Sequence, residues 1–227
     1  MPRNVKTKNC KNNDCKNKLF MIESQGKAVN RMTEDVALVG SKLRRWEKYL
    51  DNFKLPTWNE IPDIGLFMDQ VITLLTQYLD YLPPELKEDN CITPAAINNY
   101  VRMKIMPEPR KKRYYRLHIA YLLMICTMKQ SLSIALLRKM IPVGIPEEEF
   151  EPIYSAYVER HRRTAQYFNQ QVRKAADPIL HGENATPQDI NNLIFVMTII
   201  SGFCQLLAEK LILLEPPQEA EEKTGMS

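Results

Sequence analysis

The chain has 227 residues, a net charge of +4, 44% apolar residues and 26% charged residues. That is long enough to bury a real core and ordinary for a soluble globular protein. Its seven glycines are never adjacent, which excludes the glycine-rich loops that cradle nucleotide phosphates. Scarce glycine with abundant Leu, Ile, Lys and Glu also favours helices over sheets.

Residues 1–30 are rich in Lys and Asn and read as a basic, disordered tail. The first 18 residues contain no apolar stretch, so no cleavable export signal is expected and the cytoplasm, with free thiols, is the expected compartment. Five cysteines are present, Cys10, Cys15, Cys91, Cys126 and Cys204. Cys10 and Cys15 lack the second ligand pair that a zinc site requires. No metal and no cofactor are expected.

The first helix is predicted from Thr33 to Phe53. Thr33 is a suitable N-cap, Glu34 and Asp35 suit the positive end of the helix dipole, and Val36, Val39, Leu43, Trp46, Leu50 and Phe53 form one stripe. A rigid connector containing Pro56 and Pro62 precedes a second apolar helix, Met68 to Leu82, stopped by Pro83 and Pro84. Thr93 followed by Pro94 is an N-cap with proline at the first helical position. The short helix from Pro94 to about Lys104 would turn Ile97, Tyr100 and Val101 inward and Asn98, Asn99 and Arg102 outward. Pro107 and Pro109 end it, and the run Arg110, Lys111, Lys112, Arg113, Tyr114, Tyr115, Arg116 follows as a strand-like segment. Arg102 to Arg116 holds seven basic residues and one acid, a local charge of +6.

A buried helix is expected from Leu117 to about Lys129, and another from Ile134 to Ile141 capped by Ser133. Pro142, Gly144 and Pro146 mark the expected boundary between a domain at 31–145 and a helical hairpin at 146–214, and 215–227 reads as an acidic, disordered tail. The hairpin's first helix, Glu147 to about Ala176, carries a stripe through Phe150, Ile153, Tyr157, His161, Ala165, Phe168 and Val172. Its second starts at Thr186, Pro187, Gln188 and Asp189, a capping box, and includes the apolar stretch Leu193–Leu214. Gln205, Glu209 and Lys210 fall inside that stretch. A membrane span wants few charges over ~20 apolar residues, so a buried or oligomer-facing helix is expected, with no membrane contact.

The three histidines, His118, His161 and His181, lack the spacing of a ligand set or a triad. Catalysis is therefore not expected. The basic run offers Lys and Arg for phosphates, and the short helix offers Asn and Arg for base edges. A solvated basic loop fits the composition equally well.

The segment ITPAAINNYVRMKIMPEPRKKRYYRLHIAYLLMICTMKQSLSIALLRKMI resembles the MerR-type winged-helix pattern. The resemblance is carried by Ile97, Tyr100, Arg102, Ile105, Met106 and Pro107, then Tyr114, Leu122, Ile125, Leu132, Ser133 and Ile134 through Ile141. With the preceding IPDIGLFMDQVITLL it is similar to an uncharacterised bacterial family of helical proteins with that core. The resemblance implies an all-α fold: a winged helix-turn-helix core with a short β wing, followed by a long helical hairpin. It also implies a transcriptional regulator acting on double-stranded DNA. Asn98, Asn99 and Arg102 would enter the major groove; Lys104, Arg110, Lys111, Lys112, Arg113, Tyr114 and Arg116 would hold the backbone. A homodimer through the long helices would place two such units at half-sites ~34 Å apart. Asn98 stands where the pattern has arginine, ten residues (Pro83–Ile92) separate the first two helices, and Tyr115 replaces a small capping residue. Those departures motivate an alternative, a non-catalytic interaction or scaffold protein that retains the core without binding DNA.

Overall fold

The computed structural model describes residues 36–80, 92–181 and 185–214. Eight α-helices occur among them: α1 (36–52), α2 (Met68–Tyr78), α3 (Pro94–Arg102), α4 (Arg116–Met128), α5 (Ile134–Met140), α6 (Glu147–Ala175), α7 (Asp177–His181) and α8 (Pro187–Leu214). A 3-10 turn, Trp58–Glu60, follows α1. The only strand-like pairing among the described residues is two isolated antiparallel bridges. The chain is thus all-helical where described. Thr33, Glu34, Asp35, Pro83, Pro84, Cys10, Cys15, Cys91 and both tails lie outside these residues.

Local chemistry explains where the helices begin. The Thr93 hydroxyl accepts from the Ala96 N–H at 3.1 Å, with Pro94 at the first position of α3. Ser133 caps α5 through the Leu136 N–H at 3.4 Å. The side chain of Gln70 takes the Phe67 N–H at the start of α2. At α8, the Asp189 carboxylate accepts from both the N–H and the hydroxyl of Thr186. Each contact satisfies a donor that the first helical turn leaves free.

The described residues form two compact units, 36–46 with 172–194 and 47–171 with 195–214. In the first, Gly40 lets α1 approach the backbone at Ile179, where a Cβ would stand 3.1 Å from the Ile179 carbonyl oxygen. Arg44 donates to the Leu180 carbonyl at 2.9 Å.

The second unit holds the main core. Helix α4 lies at its centre, with every residue from Leu117 to Cys126 buried. Helices α2 and α3 contribute Val71, Leu75, Ile97 and Tyr100, and α6 contributes Phe150 and Tyr154. Tyr121 stacks on Phe150 with centroids 3.9 Å apart and donates to the Pro142 carbonyl at 2.6 Å. Tyr154 packs edge-on against Trp58 and donates to the Pro56 carbonyl at 2.8 Å. Burial raises both phenols, Tyr121 to about 12.

The break at Pro142–Pro146 is consequently not a domain boundary, because Phe150 and Tyr154 complete the same core as α2 to α4. The stripe on α6 is also rotated from the expected one. Tyr154 and Asn169 are buried, whereas Ile153 and Phe168 are exposed. Asn169 takes its place through bonds rather than apolarity, donating to the Asp51 carboxylate at 2.7 Å and to the Glu47 carbonyl at 3.4 Å.

Of the two alternatives expected for α8, burial within the chain does not hold. Only Ile212 in it is buried, and Phe195, Ile199, Phe203, Leu206 and Leu214 stand in the open. By length and composition it is also the one helix among the described residues long and apolar enough to cross a membrane.

Candidate nucleic-acid interface

Helix α3 presents a clear inside and outside. Ile97 and Tyr100 are fully buried, whereas Pro94, Ala95, Asn98 and Arg102 are exposed and Asn99 is half-buried. The Arg102 guanidinium donates to the Asn99 side-chain oxygen at 2.6 Å, so these two expected base-reading groups are paired with each other. Ile105 and Met106 are buried just beyond the helix, anchoring the chain immediately after Lys104.

The basic run is not strand-like, as expected from its sequence, but a tight turn. The Arg113 N–H donates to the Arg110 carbonyl at 3.0 Å, and the central residues Lys111 and Lys112 have φ of 50° and 61°. Positive φ at both central positions is the signature of the type I′ turn, which ordinarily selects Asn-Gly. Lys104, at φ 53°, is the only other non-glycine residue in the left-handed region among those described. Left-handed backbone costs an ordinary L-residue about 1–2 kcal/mol. All three strained positions are lysines of the basic segment.

Two bridges hold this turn in place. Leu66 and Tyr114 exchange both backbone hydrogen bonds, at 2.8 and 2.9 Å. Gly65 lets the Arg113 and Tyr115 side chains lie close beside them: a Cβ there would come within 2.8 Å of the Arg113 Cδ and 3.1 Å of the Tyr115 ring. Arg113 donates to the Gly65 carbonyl at 3.0 Å and lies 4.2 Å over the Phe67 ring. Arg116 donates to the Ile61 carbonyl at 3.1 Å, pairs with Asp63 at 3.8 Å and stands over Trp58.

Besides Asn98, which is exposed, and Asn99, which is bonded to Arg102, the expected contact residues fall into three groups. Tyr114 is only 3% exposed; its side chain is core, which corrects its assignment to a backbone contact. Arg113, Arg116 and Arg102 are engaged within the chain. Lys104, Arg110, Lys111 and Lys112 are exposed, and among the described residues their side chains have no hydrogen-bond or ion-pair partner. Arg110, Lys111 and Lys112 stand on one turn and Lys104 just after α3; exposed lysines and arginines are the groups that pair with phosphates.

His118 sits beneath this turn and is 2% exposed. Its Nδ1 accepts from the Tyr115 N–H at 3.0 Å, which requires the proton on Nε2, and Nε2 then donates to the Glu108 carbonyl at 3.0 Å. His118 thereby supplies the helix-start contact that Tyr115 cannot. Burial, reinforced by Arg110, holds its imidazole below the usual range. With both nitrogens committed, it ties Tyr115 to Glu108 across the basic run and has no lone pair left for chemistry. His161 packs edge-on against Phe53, and His181 pairs with Asp177 in α7. Among the described residues no three His, Cys, Asp or Glu side chains converge as a metal site would need.

The turn was hidden from sequence reading because Lys-Lys is the wrong chemistry for it. The engagement of Arg113 and Arg116 was hidden because their partners, Gly65, Ile61 and Asp63, lie about fifty residues earlier.

No curated protein and no solved structure matches the chain. Residues 56–159 match the model of a family described as a domain of unknown function, DUF1836. The match runs from the connector before the 3-10 turn into α6 and includes the residues of the basic turn.

Proposed function

We propose that the chain is a cytoplasmic, double-stranded DNA-binding regulator of MerR-like type that acts as a homodimer. The observation that carries this reading is the placement of Lys104, Lys111 and Lys112 in left-handed backbone, uncompensated by any internal contact. Local strain persists where function selects the residue over the backbone's preference. Glycine or asparagine would relieve the turn but remove the charge.

Other features support the same reading. Helix α2 packs on α3 and α4, α3 keeps Asn98 and Arg102 in solvent, and the bridged turn follows as a wing would. Lys104, Arg110, Lys111 and Lys112 are the backbone contacts, and Asn98, Asn99 and Arg102 face the bases once the Arg102–Asn99 bond exchanges for contacts to DNA. The exposed side of α8 provides the dimer seam. Val196, Ile200, Phe203, Leu207 and Leu214 recur at steps of four, three, four and seven, the repeat of a helix pair.

Mobility shift with genomic fragments at low salt tests the proposal. Retarded complexes are expected, weakened when Lys111, Lys112 and Arg110 are replaced by Ala. Absence of any shift at low salt, or complexes indifferent to the triple substitution, would refute it. A second reading, a scaffold that retained the core without DNA contact, draws on the internal use of Arg102, Arg113 and Arg116. It predicts a stoichiometric protein partner and no salt-dependent DNA affinity.

A further inference from the structure

A cavity of about 680 Å³ opens within the second unit between α4, α5, α6 and α8. That volume lies in the range of small-molecule sites. Met124 and Met128 of α4 and Met140 of α5 line it, with Ala208 closing the α8 side. Three thioethers make an apolar wall that adapts to irregular shapes. Met140 is 43% exposed although it lines this wall.

The polar part of the wall is one-sided. Arg160 is its single permanent cation, and no Asp or Glu lines the cavity among the described residues. The neighbouring arginines of α6 are neutralised: Arg162 and Arg163 both bind Glu159, at 2.8 and 2.6 Å. Arg160 has no such partner among the described residues. His161 beside it is held edge-on by Phe53, and Ser131 and Thr164 add hydroxyls to the same wall. An unneutralised guanidinium at an apolar cavity free of carboxylates selects against cations. It favours a ligand with an apolar body and a planar anionic head, since guanidinium binds carboxylate with two parallel hydrogen bonds.

We propose that this cavity binds one small amphipathic carboxylic acid from solution, its apolar body among the methionines and its carboxylate on Arg160. This site is separate from the basic turn and does not depend on the chain's binding DNA. An anionic lipid in a membrane presents the same chemistry, so the test separates the two.

Calorimetric titration of the full chain with decanoate below its micellar concentration, decan-1-ol and decyltrimethylammonium is the experiment. One decanoate per chain is expected, with the alcohol weaker by roughly tenfold, the scale of one charged hydrogen-bond pair, and the cationic amphiphile weaker still. Arg160→Gln should lower decanoate affinity to that of the alcohol and leave the alcohol unchanged. Met128→Trp should fill the cavity and abolish both. Circular dichroism and the unfolding midpoint check that each variant folds; Arg160→Gln alters only an exposed side chain and carries the test if Met128→Trp does not fold. Equal decanoate binding by wild type and Arg160→Gln overturns the proposal, as does equal binding of the cation. Decanoate binding that survives in a folded Met128→Trp variant points to adsorption on the open face of α8 and also overturns it. So does binding seen only with phosphatidylglycerol vesicles and not with decanoate.

Discussion

Helices α4 and α8 have nearly the same character in sequence and opposite fates in the structure. Both are apolar on all sides, and neither shows a strong amphipathic period. In α4, ten consecutive residues from Leu117 to Cys126 are buried by α2, α3, α6 and the segments between them. In α8, Phe203 is 69% exposed and only Ile212 is buried. Apolar composition states that a helix must be covered; it does not state what covers it. One helix is covered by its own chain, and the other is not. The basic segment repeats the contrast on a smaller scale: Arg113 and Arg116 are spent on internal carbonyls and rings, whereas Lys104, Arg110, Lys111 and Lys112 are not.

The largest effect that separates the two helices is a cavity mutation. Ile125→Ala in α4 removes a fully buried side chain and should cost about 2–5 kcal/mol in urea unfolding. Ile200→Ala in α8 should change the stability of the dilute chain by no more than about 0.5 kcal/mol. Comparable losses at the two positions would mean that α8 is covered by its own chain. Phe203→Glu sharpens the point by a different readout. Light scattering should report a dimer for wild type and a monomer for this variant, with the unfolding midpoint at low concentration preserved; an unchanged mass would remove α8 from the interface.

A smaller effect concerns proton binding at the packed end of α4. His118 is neutral in the fold because burial lowers its pKa below the ordinary 6.5, and burial lowers His161 in the same direction. The unfolded chain therefore binds more protons below pH 6.5, so the full stability is present above that value and is lost as the pH falls through it. The slope is at most about 1.4 kcal/mol per pH unit for each proton. Urea midpoints at pH 7.5 and 5.5 should diverge in wild type and diverge less in His118→Gln. A wild-type midpoint that rises on acidification would contradict the assigned neutral state.

The smallest effect runs the opposite way. Lys111→Asn with Lys112→Gly gives the turn the residues that its backbone prefers, and should raise stability by about 1 kcal/mol. Thermal unfolding measures it, and a loss of stability would mean that the two lysines make contacts that hold the fold.

Much of the scaffold was legible in the sequence. Thr93 and Ser133 cap where their hydroxyls and the following apolar steps place them, and the start of α8 follows from Thr186 and Asp189. These signals are local, each within four residues. What was illegible was either non-local or contrary to local rules. Tyr114 reads as a surface aromatic in a charged run, but its backbone pairs with Leu66 and takes the ring inward. The turn at Lys111–Lys112 breaks the residue preferences that would announce it. The α6 stripe shifted because Asn169 is buried by hydrogen bonds to α1, which periodicity does not count. The cavity beside Arg160 joins four helices and has no sequence signature at all.

The dependence of DNA affinity on salt tests the central claim most directly. Each lysine that contacts a phosphate adds about one to the steepness of log K against log salt concentration. For wild type and the Lys111→Asn, Lys112→Gly variant, titrated with the same duplex between 50 and 200 mM salt, as a range in which such slopes are well determined, the account predicts a slope shallower by about two in the variant and weaker binding at every salt concentration. Identical slopes, or wild-type binding with no salt dependence, would contradict it.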